Sequence, residues 1–356
     1  MKMTTVFFFA LFLSPAYGLH PSESVPAGEK KAIEAIEQIL VKGVIAGAKA
    51  SGHAKRDAHA KAHGCVRGTF HVNDTLPASL RTGAMVEGRN YPAWIRYSNG
   101  SGRSQDDTVG DARGMAIKLM DVSGEKLEDE KFTQDFLLIN HPVFLVRNAL
   151  DYVAFSTAVA AGSPTKFFFP SVNPFQWRLH EANIARQITG NKVTQLAETR
   201  YWSMTPYLMG STPAKFSARP CFRGQDSQWK ADSPNYLGDN LESYLSERSA
   251  CFEFLVQLQT DPTSMPVEDP TIEWKESKAP FVKVATLMIE SQEFRSEAQQ
   301  EFCENLSMNP WHAHVQHQPL GGINRVRREV YRKIATLRHD LNREPQTEPT
   351  GNEVFH

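Results

Sequence analysis

Arg327, Tyr331 and Arg338 are the residues whose spacing first suggests chemistry. At 100° per helical residue they fall within about 40° of one another, one to two turns apart. A phenol ordinarily titrates near about 10, and flanking guanidinium groups favour its phenolate. Phenolate is a hard anionic ligand for ferric iron. The same spacing also describes a surface tyrosine beside solvated arginines, so the helix alone leaves both readings open.

The second candidate is Arg56-Asp57-Ala58-His59-Ala60-Lys61-Ala62-His63-Gly64. Two histidines four apart on a helix could hold zinc, as could His312, His314 and His317. Neither set has the glutamate base or the cysteines that would sharpen a zinc reading, and a solvated polar loop is the plain alternative.

In Trp94-Ile95-Arg96-Tyr97-Ser98, strand alternation points Trp94, Arg96 and Ser98 to one face. Buried there, the guanidinium needs an anion and the hydroxyl a partner such as a histidine ring. An edge strand facing water would need neither. Asn140 is a lone amide in the apolar run from Phe136 to Phe144, although an Asn before Pro142 also reads as a strand-ending turn.

These side chains need elements to hold them. Residues Glu29 to Ala50 read as a helix with Ile33, Ile36, Leu40, Val44 and Ile45 on one face. From Cys65 to Arg147 the period shifts towards two: Val66, Gly68, Phe70 and Val72 alternate with polar neighbours, and strand-like runs recur at 115–119 and 136–140. Strands return at 251–258 and 281–289. The middle, 152–248, carries no clear period. A helix over 322–341 has an apolar stripe of Ile323, Val326, Val330, Ile334, Leu337 and Leu341. The polar residues after Arg343 read as a loose tail. Strands flanked by helices at both ends predict an α+β fold built on a barrel or strongly curved sheet.

Composition bounds the partners. With 39 basic and 40 acidic residues the net charge is −1, which argues against a nucleic-acid or anionic-membrane binder and for small-molecule partners. Residues 1–18 read as a secretory signal peptide: a Lys2 start, the apolar run Val6 to Leu13, then small residues at Ala16 and Gly18. That run is short of the roughly 20 residues a bilayer span requires, and no other stretch qualifies, so no integral membrane span is expected. The expectation is a secreted or periplasmic protein with a domain over 19–343 and a tail over 344–356. Cys65, Cys221, Cys251 and Cys303 allow three pairings or none, and nothing in their spacing chooses.

Order and spacing together resemble the catalase superfamily. Arg56 three residues before His59-Ala60-Lys61 resembles its distal segment. Trp94 to Ser98 looks like the strand carrying a propionate-binding arginine and the serine that bonds the distal histidine. Asp107-Thr108-Val109-Gly110-Asp111-Ala112-Arg113-Gly114-Met115-Ala116-Ile117-Lys118 is similar to the family's most recognisable segment. Asn140-His141-Pro142-Val143-Phe144 follows the pattern of the distal asparagine and its downstream phenylalanine, and Arg327, Tyr331 and Arg338 match the proximal helix. The shorter catalase-like haem-binding proteins are the nearest in length.

The resemblance implies a catalase-like eight-stranded antiparallel β-barrel with haem b and flanking helices. It implies Tyr331 as the iron ligand, Arg327 beside its phenolate, and Arg56, Arg96 and Arg338 on the haem propionates. His59, Ser98 and Asn140 would handle a small peroxide as catalase or peroxidase residues, with Phe144 beside the haem. An organic reductant would act as second substrate in a peroxidase.

Four departures qualify this. Ala58 stands where catalases usually carry Val, which widens the pocket. The turn after Lys61 is one residue longer, so His63 is an alternative distal base. Ile139 stands beside Asn140 where a second Asn is common, and a Leu follows Phe144. The C-terminal domain of large-subunit catalases is missing, so no NADPH site is inferred. Two alternatives therefore stand beside peroxide consumption: a fatty-acid (lipid) hydroperoxide isomerase or lyase of the allene oxide synthase type, and a non-catalytic haem-binding protein. An oligomer is left open.

Overall fold

The computed structural model describes residues 18–222 and 229–355. All of the expected leader except Gly18 lies outside them. Among the described residues nine strands form one antiparallel sheet: β1 (Ala62–Val72), β2 (Asn90–Asn99), β3 (Arg113–Leu119), β4 (Gln134–Ile139), β5 (Tyr201–Trp202), β6 (Tyr207–Met209), β7 (Thr212–Pro220), β8 (Ala250–Leu258) and β9 (Val282–Ile289). Their order is β5-β4-β3-β2-β1-β9-β8-β7-β6, and β5 also pairs with β7. That extra pairing closes an eight-stranded barrel, with β6 hanging from β7 outside the ring. The fold is the expected catalase-like α+β barrel. Its seam is short: β5 meets β4 only at Ile139–Trp202 and β7 at Tyr201–Ala218 and Trp202–Ser217.

Alternation along the strands explains the interior. Val66, Phe70 and Val72 of β1, Ile95 and Tyr97 of β2, Ile117 of β3, Phe136 of β4, Phe216 of β7 and Phe254 of β8 fill one buried cluster. The rings of Phe70, Phe136, Phe216 and Phe254 pack within 4.7 to 6.3 Å of one another. Adjacent positions therefore point outward. On β2 these are Trp94, Arg96 and Ser98, and all three are still buried. Because β2 lies between β1 and β3, the edge-strand reading fails.

Helices pack around the sheet and on one another. They are α1 (Glu29–Ser51), α2 (Ala149–Ala160), α3 (Thr165–Phe168), α4 (Leu179–Gly190), α5 (Tyr236–Glu247), α6 (Glu297–Asn305) and α7 (Gly322–Asn342). Ala32, Ile36 and Val44 of α1 meet Val326, Val330 and Ile334 of α7 in a cluster of their own. Arg325 binds this layer together, reaching Glu23 at 2.7 Å, Glu29 at 2.6 Å and Glu268 at 3.0 Å.

Two disulfides form, Cys65–Cys303 between β1 and α6 and Cys221–Cys251 beside the barrel wall. The tail after Arg343 is docked rather than loose. Trp94 Nε1 donates to Glu353 at 3.0 Å, and the Phe355 ring lies 5.8 Å from that of Trp94. Its aromatic end gains more by covering the barrel's apolar outside than it loses in chain freedom.

Candidate active site

A pocket open to solvent lies between the outer face of the barrel and α7, with about 730 Å³ of empty space counting its mouth. Cross-strand register builds its floor: Ser98 faces Gly114 and Arg96 faces Ala116 across β2 and β3, while Gly114 faces Ile139 and Ala116 faces Leu137 across β3 and β4. All six line the pocket. Tyr331, Arg327, Ile334 and Arg338 of α7 form the opposite wall, and Arg56 to His59 close one side.

His59 is held by its backbone as much as by its ring. It sits at φ 57°, a left-handed conformation in which His is enriched among non-glycine residues. Its N–H donates to Gly100 O at 3.1 Å, and its carbonyl accepts from Arg96 Nη2 at 2.9 Å. Its Nδ1 lies 3.0 Å from Ser98 Oγ. Burial, then the charges of Arg96 and Arg327, push the ring's pKa down to about 4, so the imidazole is neutral at physiological pH. Asp57 lines the same pocket, and burial raises its carboxyl to about 6.

On α7 the Arg327 guanidinium stacks on the Tyr331 ring, 5.3 Å from its centroid. Burial pulls Arg327 down, but the tyrosine oxygens of Tyr331 and Tyr207 outweigh it and its pKa ends raised. Arg96 and Arg338 behave oppositely. Burial, reinforced by the charge of Arg56, pulls each down to about 9. Arg96 Nε is buried without a hydrogen-bond partner. This is a pocket with surplus positive charge and an unfilled donor, and it suits an anionic occupant.

The structure thus brings together seven residues singled out in the sequence: Arg56, His59, Arg96, Ser98, Arg327, Tyr331 and Arg338. Two others do not line the pocket. The strand period explains Asn140: Ile139 points outward to the floor, so its neighbour faces away. Asn140 Oδ1 accepts instead from Arg113 N at 2.7 Å, and its Nδ2 is buried and unpaired. Phe144 N–H donates to Pro270 O, and its ring packs 5.9 Å from Tyr152. His63 is also elsewhere. Its Nε2 lies 2.8 Å from Asn99 Oδ1, and it lines a separate cleft.

The zinc alternatives do not assemble among the described residues. His59 and His63 line separate cavities. His312 joins Glu130 and Asp135 in one buried cluster, but the Lys118 ammonium fills its centre, 2.8 Å from Asp135 Oδ1 and 3.4 Å from His312 Nδ1.

Sequence reasoning missed Met204, Leu306 and Met308, which complete the pocket wall. It also missed Glu304 on α6, whose carboxylate meets Arg56 at 3.1 Å and Arg96 at 3.4 Å. A local signal for α6 existed: Ser296-Glu297-Ala298-Gln299 is a capping pattern, and Ser296 Oγ does accept from Gln299 N.

Comparison with known proteins agrees with this architecture. Residues 22–191 match the catalase family model. Among solved structures, a fungal catalase superposes with a TM-score of 0.65 at 17% identity, covering 87% of this chain and 65% of that one. Catalase A from Saccharomyces cerevisiae gives 0.62 at 16%, covering 88% of this chain and 67% of the other. A bacterial catalase gives 0.59 at 14%, with 94% and 67% covered. The chain thus spans about two thirds of the length of these structures. A search of curated proteins finds no match. The barrel and the outer-face pocket define a catalase-type fold, and residues 22–191 carry the catalase family pattern.

Proposed function

We propose that this pocket holds haem b and that the protein consumes peroxide. The observation carrying this reading is the opposition of two pairs across one cavity: His59 bonded to Ser98 on the barrel, and Tyr331 stacked with Arg327 on α7. Tyr331 would hold the iron, and Arg327 would favour its phenolate. Arg56, Arg96 and Arg338 would receive the propionates, which fits their surplus charge and the unpaired Nε of Arg96. Ferric haem, when bound, supplies the redox chemistry of O–O cleavage.

The chain's own residues handle the proton. With Nδ1–H donated to Ser98 Oγ, the neutral His59 ring presents Nε2 as an acceptor towards the pocket. It takes the proton from the incoming peroxide and returns it to the departing oxygen. Its depressed pKa keeps that acceptor free down to about pH 4. Ser98 fixes the tautomer and the plane of the ring.

The pocket floor favours a second substrate class. Ala116, Leu137 and Ile139 are apolar, and no amide joins them among the described lining residues. An organic or lipid hydroperoxide fits such a floor better than a small polar peroxide does. We infer export as well, because two disulfides suit an oxidising compartment.

The test is an absorption spectrum of haem-supplemented protein, followed by addition of hydrogen peroxide and then cumene hydroperoxide. Wild type should give a ferric tyrosinate-type spectrum that changes on peroxide addition. Tyr331→Phe should lose that spectrum, and His59→Ala should keep haem but not react. A folded wild type that takes up no haem would overturn the reading.

A further inference from the structure

We propose that Glu304 is a built-in counter-ion that sets the charge of the arginine cluster and thereby limits its affinity for the anionic groups of a ligand in the main pocket. The proposal rests on the haem reading for the identity of that ligand, but not for the existence of the anion site.

The geometry gives Glu304 two sides. Its carboxylate holds Arg56 Nη1 at 3.1 Å and Arg96 Nη2 at 3.4 Å, and its backbone carbonyl accepts from Arg338 Nη1. The three arginines line the main pocket, whereas Glu304 lines the neighbouring cleft with Cys303 and Cys65. Seen from the main pocket, the carboxylate therefore stands behind the guanidinium groups.

The surroundings fix it there. The carbonyls of Cys303 and Leu306 accept from Arg56 Nη2 at 3.1 and 2.6 Å, so the C-terminal end of α6 faces the cluster with its negative pole. The Cys65–Cys303 disulfide staples the residue next to Glu304 onto β1. Burial would raise the Glu304 carboxyl, but Arg56, Arg96 and Arg338 more than reverse this and hold it below the usual range. The group is therefore charged at neutral pH.

Three guanidinium groups and one carboxylate leave two positive charges, which matches a dianion such as a porphyrin diacid. Without the carboxylate the cluster would carry three. A ligand carboxylate would then meet the same donors without a like charge behind them, and its affinity would rise. Glutamine keeps the shape and one of the two acceptor oxygens, which Arg56 and Arg96 now use separately, while removing the charge.

The experiment compares wild type and Glu304→Gln with two probes. Metal-free protoporphyrin IX, followed by fluorescence, should bind the variant about tenfold more tightly, a gap that narrows in high salt. Its dimethyl ester, which lacks the carboxylates, should bind both proteins alike. Inorganic pyrophosphate, followed by melting temperature, should stabilise ligand-free Glu304→Gln more than wild type. Equal or weaker binding of protoporphyrin by the variant would overturn the proposal and leave the haem reading intact. If neither protein takes up protoporphyrin or ferric haem yet pyrophosphate favours the variant, the counter-ion role stands and the haem reading falls. If pyrophosphate fails to discriminate as well, both fall.

Discussion

Gly114→Ala should displace the histidine without touching it chemically. A Cβ on Gly114 would lie 2.6 Å from His59 Nδ1 and 2.8 Å from Ser98 Oγ. Comfortable contacts are about 3.5–4.0 Å, so one or both neighbours must retreat by about 1 Å. Neither has room. Ser98 belongs to an interior strand, and His59 is pinned by its bonds to Gly100 and Arg96. The displacement also stretches the 3.0 Å His59–Ser98 hydrogen bond. Overpacking costs about 1–3 kcal/mol and the lost bond about 1 more, so a loss of about 2–4 kcal/mol should appear in urea denaturation. Misplacing an acid–base group by about 1 Å should slow the peroxide-driven spectral change on the order of 100-fold, with haem uptake retained. Gly68→Ala is the control. Its Cβ would lie 2.7 Å from Met288 O, away from the site, so it should lose stability but not the histidine chemistry. If Gly114→Ala reacts with peroxide at the wild-type rate, the ring is not held as described and the proton-transfer role of His59 loses its support.

Three further outcomes are expected. Ile139→Asn puts an amide on the pocket floor where the chain now has an apolar group; stopped-flow reaction with hydrogen peroxide should speed up by up to about tenfold, and an unchanged rate would mean that the floor does not meet the substrate. Cys303→Ala should cost about 2–5 kcal/mol in denaturant titration, since Cys65–Cys303 closes a loop spanning 238 residues of sequence separation. The pH dependence follows from His59: unfolded it titrates near about 6.5, folded near about 4, so its contribution is complete above pH 6.5 and is lost as pH falls towards 4. His59→Gln should flatten that acid limb by about 2–3 kcal/mol, and superimposable stability–pH curves for the two proteins would contradict the buried neutral imidazole.

Much of the scaffold is legible in the sequence because its signals are local. The stripe of α7 and the alternation of β1 and β2 record which side of each element is buried. Alternation even decides the fate of Asn140, since a residue beside an outward Ile139 must face away; composition drew attention to the amide while parity excluded it. The strand pattern alone left a barrel or a strongly curved sheet, and only the resemblance implied closure, because β5 has two residues and its pairing depends on partners distant in sequence. Neither was the pairing of Cys65 with Cys303, which are brought together only by the docking of α6 on β1. The same docking delivers Glu304, so the carboxylate was invisible to a reading that searched near the arginines along the chain. The tail was misjudged for the converse reason: its polar composition hid Glu353 and Phe355, the two side chains that tie it to Trp94.

The pocket's second wall has a consequence for how distant changes reach the site. α7 carries Tyr331 and four other lining residues, yet its apolar stripe rests on α1 rather than on the barrel. No residue of α1 lines the pocket. The side chains at Ala32, Ile36 and Val44 therefore back α7 and set how far it can withdraw from the histidine side. Trimming or enlarging those three tunes the distance across the cavity as a shim does, with no reacting group replaced. Natural variation in this first helix is then a route by which relatives of this chain can adjust pocket width while every polar residue of the site stays the same.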